Sequence, residues 1–296
     1  MRPRRFGART GETQLRSEEY RLLRDLISER LGLFFGPELR SSLERRLRER
    51  LGVRGLDSFA DYYQLLAYGA AGHEEWDEAA ELLTTHETYF FREDYQLRAF
   101  QQEILPLLAK KERKRMQIWS AGCSTGEEAY TIAMLILDSG LFEPLADWEI
   151  RVHGSDLSKR CIAAARRGIY GGASFRATAD VARGRWFVPS LVEEGKSGVS
   201  ASVRSLCHFA QMNLLDDERT NLVGKCDVIF CRNVVLYFDA AARKRVIDMF
   251  YERLVPGGVL LLGHAESLLN VSTAFELLHL KEDLVYRKPL ASTAKP

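Results

Sequence analysis

From Ser17 onward, apolar residues recur at helical spacing. Leu22, Leu23, Leu26 and Ile27, continued by Arg30, predict a first helix with Ser17 as its N-cap and Gly32 as its stop. After Pro37, Leu39, Leu43, Leu47 and Leu51 stand four apart on one stripe and predict a second helix. Its other faces carry Arg40, Arg45, Arg46, Arg48 and Arg50. The runs "SFADYYQLLAYG" and "EEWDEAAELLTT" predict two shorter helices, so about four helices and no strand precede residue 90. A further helix is predicted from roughly Tyr95 to Lys110, ending in the charge run "KKERKR".

Beyond that helix the period changes. Short apolar runs ("MQIWSAG", "WEIRVHGSD", "CHFAQMN", "CDVIFCRN", "GGVLLLGHAES") alternate with helical ones, and a final pair, "FELLHLK" and "LVYRKPL", closes the chain. This βαβα alternation predicts an α/β fold, a parallel sheet with helices on both faces. Tyr170 to Leu206 is rich in Gly, Ser and Arg with short β-like pieces, and reads as an insertion. The predicted organisation is a flexible leader over 1–15, a helical domain over 16–92, a linker helix over 93–115 and an α/β domain over 116–290, interrupted at about 170–206.

Composition narrows the classes of function. Lys+Arg 42 against Asp+Glu 41 leaves a formal charge of +1, and with no stripe of interleaved basic and aromatic residues this disfavours nucleic acid as a partner. The charge is uneven: residues 1–54 hold 14 arginines against 8 acids, 14 − 8 = +6. The second helix is therefore either a solvated face, since Glu38, Glu44 and Glu49 interleave with its arginines, or a docking surface for an acidic helix. Five cysteines in no metal-ligand spacing read as free thiols with no metal site. The apolar runs are far shorter than the ~20 residues that span a bilayer, so a soluble cytoplasmic protein is predicted.

The candidate chemistry begins at "WSAGCSTGEEAY", Trp119 to Tyr130. An apolar strand, a turn with Gly122 and Gly126, and a helix with a stripe of Ala129, Ile132, Ala133, Ile136 and Leu137 give the context of a nucleotide cradle. The spacing is not G-x-G-x-x-G. Glu127 and Glu128 would also repel a phosphate, by roughly 4 kcal/mol per close pair at an effective dielectric near 20. S-adenosylmethionine, an adenosine carrying a sulfonium cation, meets the requirement; acids that merely stabilise the helix N-terminus are the alternative. Asp156 ends the second strand where such folds place an acid on the ribose hydroxyls, or else it caps the next helix, a role open to Ser158. Asn213 and the Leu214 N–H, at the third strand's end, suit an adenine ring. Arg232 and Asn233 interrupt an apolar run at the fourth strand's end.

These motifs, with "THETYFFRED", "GSDLS", "MNLLD", "FCRNVVLYFD" and "GHAESL" in this order, resemble the CheR-type chemotaxis receptor methyltransferases, which esterify glutamate side chains of chemoreceptors. The likeness runs from about Glu18 to Arg287. It implies a small N-terminal all-helical domain, a linker, and a Rossmann-like class I methyltransferase sheet with a small antiparallel β insertion. It also implies cofactor contacts from His86, Thr88, Arg92, Gly122, Glu128, Asp156, Asn213 with Leu214, and Arg232 with Asn233, and it places Tyr237 beside the transferring methyl. His86 departs from the asparagine more usual in relatives. The implied reaction consumes S-adenosylmethionine and releases S-adenosylhomocysteine; the implied partners are acidic cytoplasmic helices of chemoreceptors, for which the Arg-rich helix 38–51 is the candidate docking face if it is not simply a solvated one. The insertion binds a receptor tail peptide in some relatives. A same-fold methyltransferase for another protein or small molecule, and a non-catalytic cofactor-binding signalling module, are the alternatives.

Overall fold

A computed structural model describes residues 14–290, so the leader predicted over 1–15 lies almost wholly outside the described residues. The chain divides into two compact units. The first, residues 14–30 and 34–83 among those described, holds four helices: α1 (Ser17–Leu31), α2 (Arg40–Arg54), α3 (Phe59–Tyr68) and α4 (Gly72–Leu83). Ahead of α1 the Arg16 N–H donates to the Glu19 carboxylate (2.9 Å), supplying a partner that an unpaired helix-end amide otherwise lacks. The leucine stripe of α2 is real from Leu43 to Leu51, all buried, whereas Leu39 sits on a preceding 3₁₀ turn and is 41 % exposed. Ser58 caps α3 by accepting from the Asp61 N–H.

The arginine-studded face of α2 is in part an internal feature. Arg50 is buried and clasps the fully buried Glu75 of α4 through two bonds, Nε to Oε1 at 2.7 Å and Nη2 to Oε2 at 2.8 Å. Arg54 and the Tyr62 hydroxyl donate to the same carboxylate. Arg46 donates to the Leu82 carbonyl, Arg40 to the Leu15 carbonyl, and Arg48 pairs with Glu44. Arg45 is exposed.

The helical unit ends at Leu83, and residues 84–92, which the sequence reading placed with the helices, group with the second unit. The predicted linker helix is two helices, α5 (Asp94–Ala99) and α6 (Leu105–Ala109), joined by a π turn over Phe100–Ile104. The Leu105 N–H reaches back five residues to the Phe100 carbonyl, and the next residue, Pro106, has no N–H with which to continue the regular ladder. Leu97, Phe100, Ile104, Leu105 and Leu108 of this segment are buried in the second unit's core.

The remaining elements are β1 (Arg115–Ala121), α7 (Glu127–Asp138), β2 (Glu149–Asp156), α8 (Lys159–Arg167), β3 (Ile169–Tyr170), α9 (Asp180–Trp186), β4 (Phe187–Pro189), β5 (Ser197–Val199), α10 (Ala201–Arg204), β6 (Cys207–Gln211), α11 (Asp217–Asn221), β7 (Cys226–Cys231), α12 (Ala240–Arg253), β8 (Leu254–Leu262), β9 (Glu276–His279) and β10 (Leu284–Arg287). The main sheet runs β6-β2-β1-β7-β8-β10-β9. Its first five strands are parallel, and β10 and β9 are antiparallel at the far edge. β3, β5 and β4 form the separate antiparallel sheet of the insertion.

The order places a reversal at the centre of the sheet. From β1 the chain steps outward to β2 and β6, then returns to β7 on the other flank of β1. Ligands of open α/β sheets bind beyond the strands' carboxyl ends at such a switch point. The register brings those ends level, with Ala121 opposite Ser155, Asp156 opposite Gln211 and Cys231 opposite Leu262. The candidate residues follow directly after those ends.

Candidate functional site

The turn after β1 is tied to the end of β2. The N–H groups of Gly122 and Cys123 both donate to the Ser155 carbonyl (2.8 and 2.9 Å). Gly122 has φ +81°, and a Cβ there would lie 2.3 Å from a methyl of Val234 in the loop after β7. Glycine is thus required twice, by the backbone conformation and by the close approach of that loop.

Asp156 is spanned by two backbone donors. Oδ2 accepts from the Ser124 N–H (2.8 Å) and Oδ1 from the Ser158 N–H (2.9 Å). Ser158 itself caps α8 by accepting from the Cys161 N–H, so the capping duty falls to Ser158. The aspartate orients the glycine turn. His86 lies beside it: its carbonyl accepts from Ser124 Oγ (3.3 Å), its Nε2 is 3.0 Å from Thr84 Oγ1, and ligand atoms of His86, Asp156 and Cys161 lie within 4.8 Å of one another.

The two glutamates that open α7 point to different places. Glu127 accepts from Thr125 Oγ1 (2.6 Å) and from Ser174 Oγ (2.9 Å), anchoring the insertion. Glu128 accepts from Ser120 Oγ (2.7 Å) and pairs with Arg232 (3.2 Å). Burial pushes both carboxyls above their ordinary range; at Glu128 the guanidinium of Arg232 and the Ser120 hydroxyl work against that rise.

Arg232, expected from the sequence as a cofactor contact, is engaged here with protein groups. Its side chain is 3 % exposed and its nitrogens serve protein groups: Nε donates to Gln96 (2.7 Å), Nη1 to Glu128, and Nη2 to the Arg92 carbonyl (2.6 Å) and to Glu93 (3.0 Å). Arg232 therefore holds the 92–96 segment against the end of β7. That segment carries unusual backbone, since Phe91 and Glu93 both have positive φ. It is pinned by the Phe91 N–H on Thr131 Oγ1 (3.2 Å) and by buried Phe90, whose ring meets Tyr170, Phe175 and Phe187 at centroid distances of 4.8 to 5.4 Å. Thr88 is half-buried two residues before this anchor. Half-buried Arg92 donates to the Glu87 carbonyl (2.8 Å) and lies over the Tyr89 ring.

At the end of β6 the Met212 N–H donates to the Asp156 carbonyl (2.8 Å), fixing the start of the next turn. Asn213 Oδ1 there accepts from the Leu215 N–H (3.0 Å), and the Leu214 side chain is buried. After β7, Asn233 has φ +60°, and its Oδ1 is buried with no protein partner. Tyr237 ends a short 3₁₀ turn and is 39 % exposed. Sequence reasoning assigned no role to Glu93, Gln96, Ser124 or Glu266. Glu266 lies inside the quoted motif "GHAESL", and its spacing three after Gly263 was the available signal.

Residues 86–284 match the CheR methyltransferase SAM-binding domain, and residues 18–84 match the CheR methyltransferase all-alpha domain. The chain belongs to the CheR methyltransferase family. It is 33 % identical to chemotaxis protein methyltransferase 2 of Vibrio cholerae over 90 % of this chain and 91 % of that protein. With the chemotaxis protein methyltransferase of Salmonella typhimurium it shares 32 % identity over 90 % of each chain. With chemotaxis protein methyltransferase 1 of Pseudomonas aeruginosa the figures are 29 %, 91 % and 97 %.

The cofactor of this CheR family member is S-adenosylmethionine. The donor set fits it. Glu128 and Asp156 flank the glycine turn, the buried cation nearby is already paired with Glu93 and Glu128, and the orphaned Asn233 Oδ1 is an acceptor that the cofactor's ammonium would satisfy. A pyrophosphate would meet carboxylates with no uncommitted buried cation among these groups. None of the described helices is long and apolar enough to cross a membrane.

Proposed function

We propose that this protein transfers the methyl group of S-adenosylmethionine to glutamate side-chain carboxylates of chemoreceptors, forming methyl esters and S-adenosylhomocysteine. The observation that carries the reading is the pair of carboxylates about the glycine turn, Glu128 in the first turn of α7 and Asp156 at the end of β2, with Arg92 and Tyr237 on the flanking segments and half-buried or exposed. The names of the relatives support the chemotaxis substrate.

When bound, the cofactor supplies an electrophilic methyl on sulfonium sulfur. A glutamate side chain, with a pKa near ~4.3, is already anionic at neutral pH and attacks without a general base. The residues' work is alignment and exclusion of water, for which effective molarity contributes roughly 7 to 11 kcal/mol at best. In this reading Asp156 holds the ribose hydroxyls, Asn213 and Leu214 receive the adenine, and Glu128 lies by the amino-acid part of the cofactor. Arg92 clamps a carboxylate, of substrate or cofactor, and Tyr237 steers the acceptor oxygen by its hydroxyl. Exposed Arg45 on α2 is the residue of the Arg-rich helix best suited to an acidic receptor helix.

Incubation with methyl-labelled cofactor and chemoreceptor cytoplasmic fragments, followed by mild base, tests the reading. Release of labelled methanol from the receptor fragment is expected, because carboxyl methyl esters hydrolyse under those conditions. A base-stable label, or label found only on small molecules, would replace this reading with another substrate class.

A further inference from the structure

The amides of residues 233–236 follow β7 and lie outside its strand ladder. Yet three of them converge on one carboxylate that arrives from 30 to 33 residues later. Glu266 Oε2 accepts from the Asn233 N–H (2.8 Å), and Oε1 accepts from the Val234 N–H (2.8 Å) and the Leu236 N–H (3.1 Å). A fourth amide, Gly263 N–H just after β8, donates to Oε2 (2.7 Å). Successive N–H groups aimed at one point form an anion nest, and here the anion is part of the chain. The turn that presents it is closed by the Glu266 N–H on the Gly263 carbonyl (2.9 Å). A Cβ on residue 263 would lie 2.8 Å from both Glu266 Oε2 and the Asn233 nitrogen, so only glycine admits the arrangement.

The clamped residues matter to the site. Val234 is the side chain that meets Gly122 of the cofactor turn, Asn233 is held at positive φ with its Oδ1 unpaired, and Tyr237 follows Leu236 directly. We infer that Glu266 is a positioning residue for methyl transfer: its carboxylate sets the backbone of 233–236, seats Val234 on the glycine turn and aims Tyr237. The inference rests on the functional reading above. Its own content is that a single anion, touching neither cofactor nor substrate, sets cofactor affinity and turnover through this loop.

The test uses the full chain and two variants, Glu266→Gln, which loses the charge and one acceptor oxygen, and Gly263→Ala, which intrudes on the carboxylate without altering it. Three quantities are read: amide hydrogen exchange at Asn233, Val234, Leu236 and Gly263 with no cofactor added, S-adenosylhomocysteine affinity by calorimetry, and kcat with KM. Wild-type amides are expected to be protected before any ligand is present. Both variants are expected to speed exchange at these four positions at least tenfold and to weaken S-adenosylhomocysteine at least tenfold, while the far-ultraviolet spectrum is kept. They should also lower kcat further than a change in cofactor KM explains, with partial recovery in Glu266→Asp. Fast exchange at these amides in the wild type, or wild-type exchange and affinity in a folded variant, overturns the inference. If exchange and affinity respond as stated but the wild type esterifies no receptor glutamate, the substrate reading fails and the clamp stands.

Discussion

Glu127 and Glu128 are neighbours in sequence and answer to different partners. Glu128 faces Ser120 and Arg232 in the wall of the site, while Glu127 is turned to Thr125 and Ser174, where burial raises its carboxyl. The folded chain therefore holds the Glu127 proton more tightly than the unfolded chain. Its contribution to stability is complete below the unfolded pKa and declines as pH rises through the folded one. Glu127→Gln, which cannot ionise, is expected to melt above the wild type at pH 8, with the gap closing toward pH 4; thermal unfolding across pH reads this directly. For turnover, Arg92→Ala is expected to lose on the order of 100-fold in kcat/KM, the scale of one lost charge-stabilising donor, with its melting temperature little changed. Tyr237→Phe should lose about tenfold in kcat, near 1.4 kcal/mol; near wild-type kcat in either variant removes that residue from the chemistry. The places of Asp156 at a strand's end and of Gly122 in the turn after β1 were legible because strand ends and turns have a sequence signature. The duties of Arg232 and Glu266 were not, because Arg232 reaches Gln96 136 positions away and Glu266 reaches Asn233 33 positions away.

Among the elements, α2 shows how far a pattern can be read. Its leucine stripe marks the buried face from Leu43 to Leu51, as helical periodicity requires. Periodicity counts Arg50 as polar and hence outward, whereas the fold buries it against Glu75. Burial alone pushes the Glu75 carboxyl up; the bonds from Arg50, Tyr62 and Arg54 outweigh that and leave it lowered. A lowered carboxyl contributes stability above its unfolded pKa and loses it as pH falls through its folded one, so the helical unit should be acid-labile. Glu75→Ala leaves Arg50 buried without its partner and is expected to cost about 3–5 kcal/mol in urea unfolding, as for other broken buried pairs. A loss under 1 kcal/mol would show that the pair is dispensable. Hydrophobic spacing predicts one helix from roughly Tyr95 to Lys110, but the π turn before Pro106 is a hydrogen-bond detail that such spacing does not encode.

For the whole molecule the charge balance of +1 conceals the arginine excess of residues 1–54. The structure spends Arg40, Arg46, Arg48 and Arg50 on internal contacts and leaves Arg45 exposed, so the charge available for steering an acidic partner is smaller than the count suggests. Arg45→Glu is expected to slow association with receptor fragments several-fold at low ionic strength and to have little effect at high salt, where surface charges are screened; stopped-flow association at two salt concentrations decides it. The sequence by itself determined the α/β alternation, the helical N-terminal unit, the inserted segment with its short β-like pieces and the glycine turn, because each is written in local periodicity and turn chemistry that neighbouring residues impose on one another; that the insertion forms a small antiparallel sheet was implied by the family resemblance. Tertiary structure alone decided which buried charges pair, that residues 84–92 pack with the second unit, and that Glu266 clamps the loop after β7. Those outcomes depend on strand order and register, which bring distant residues to one edge of the sheet, and on the strong penalty for leaving a buried charge or amide unpaired once they arrive.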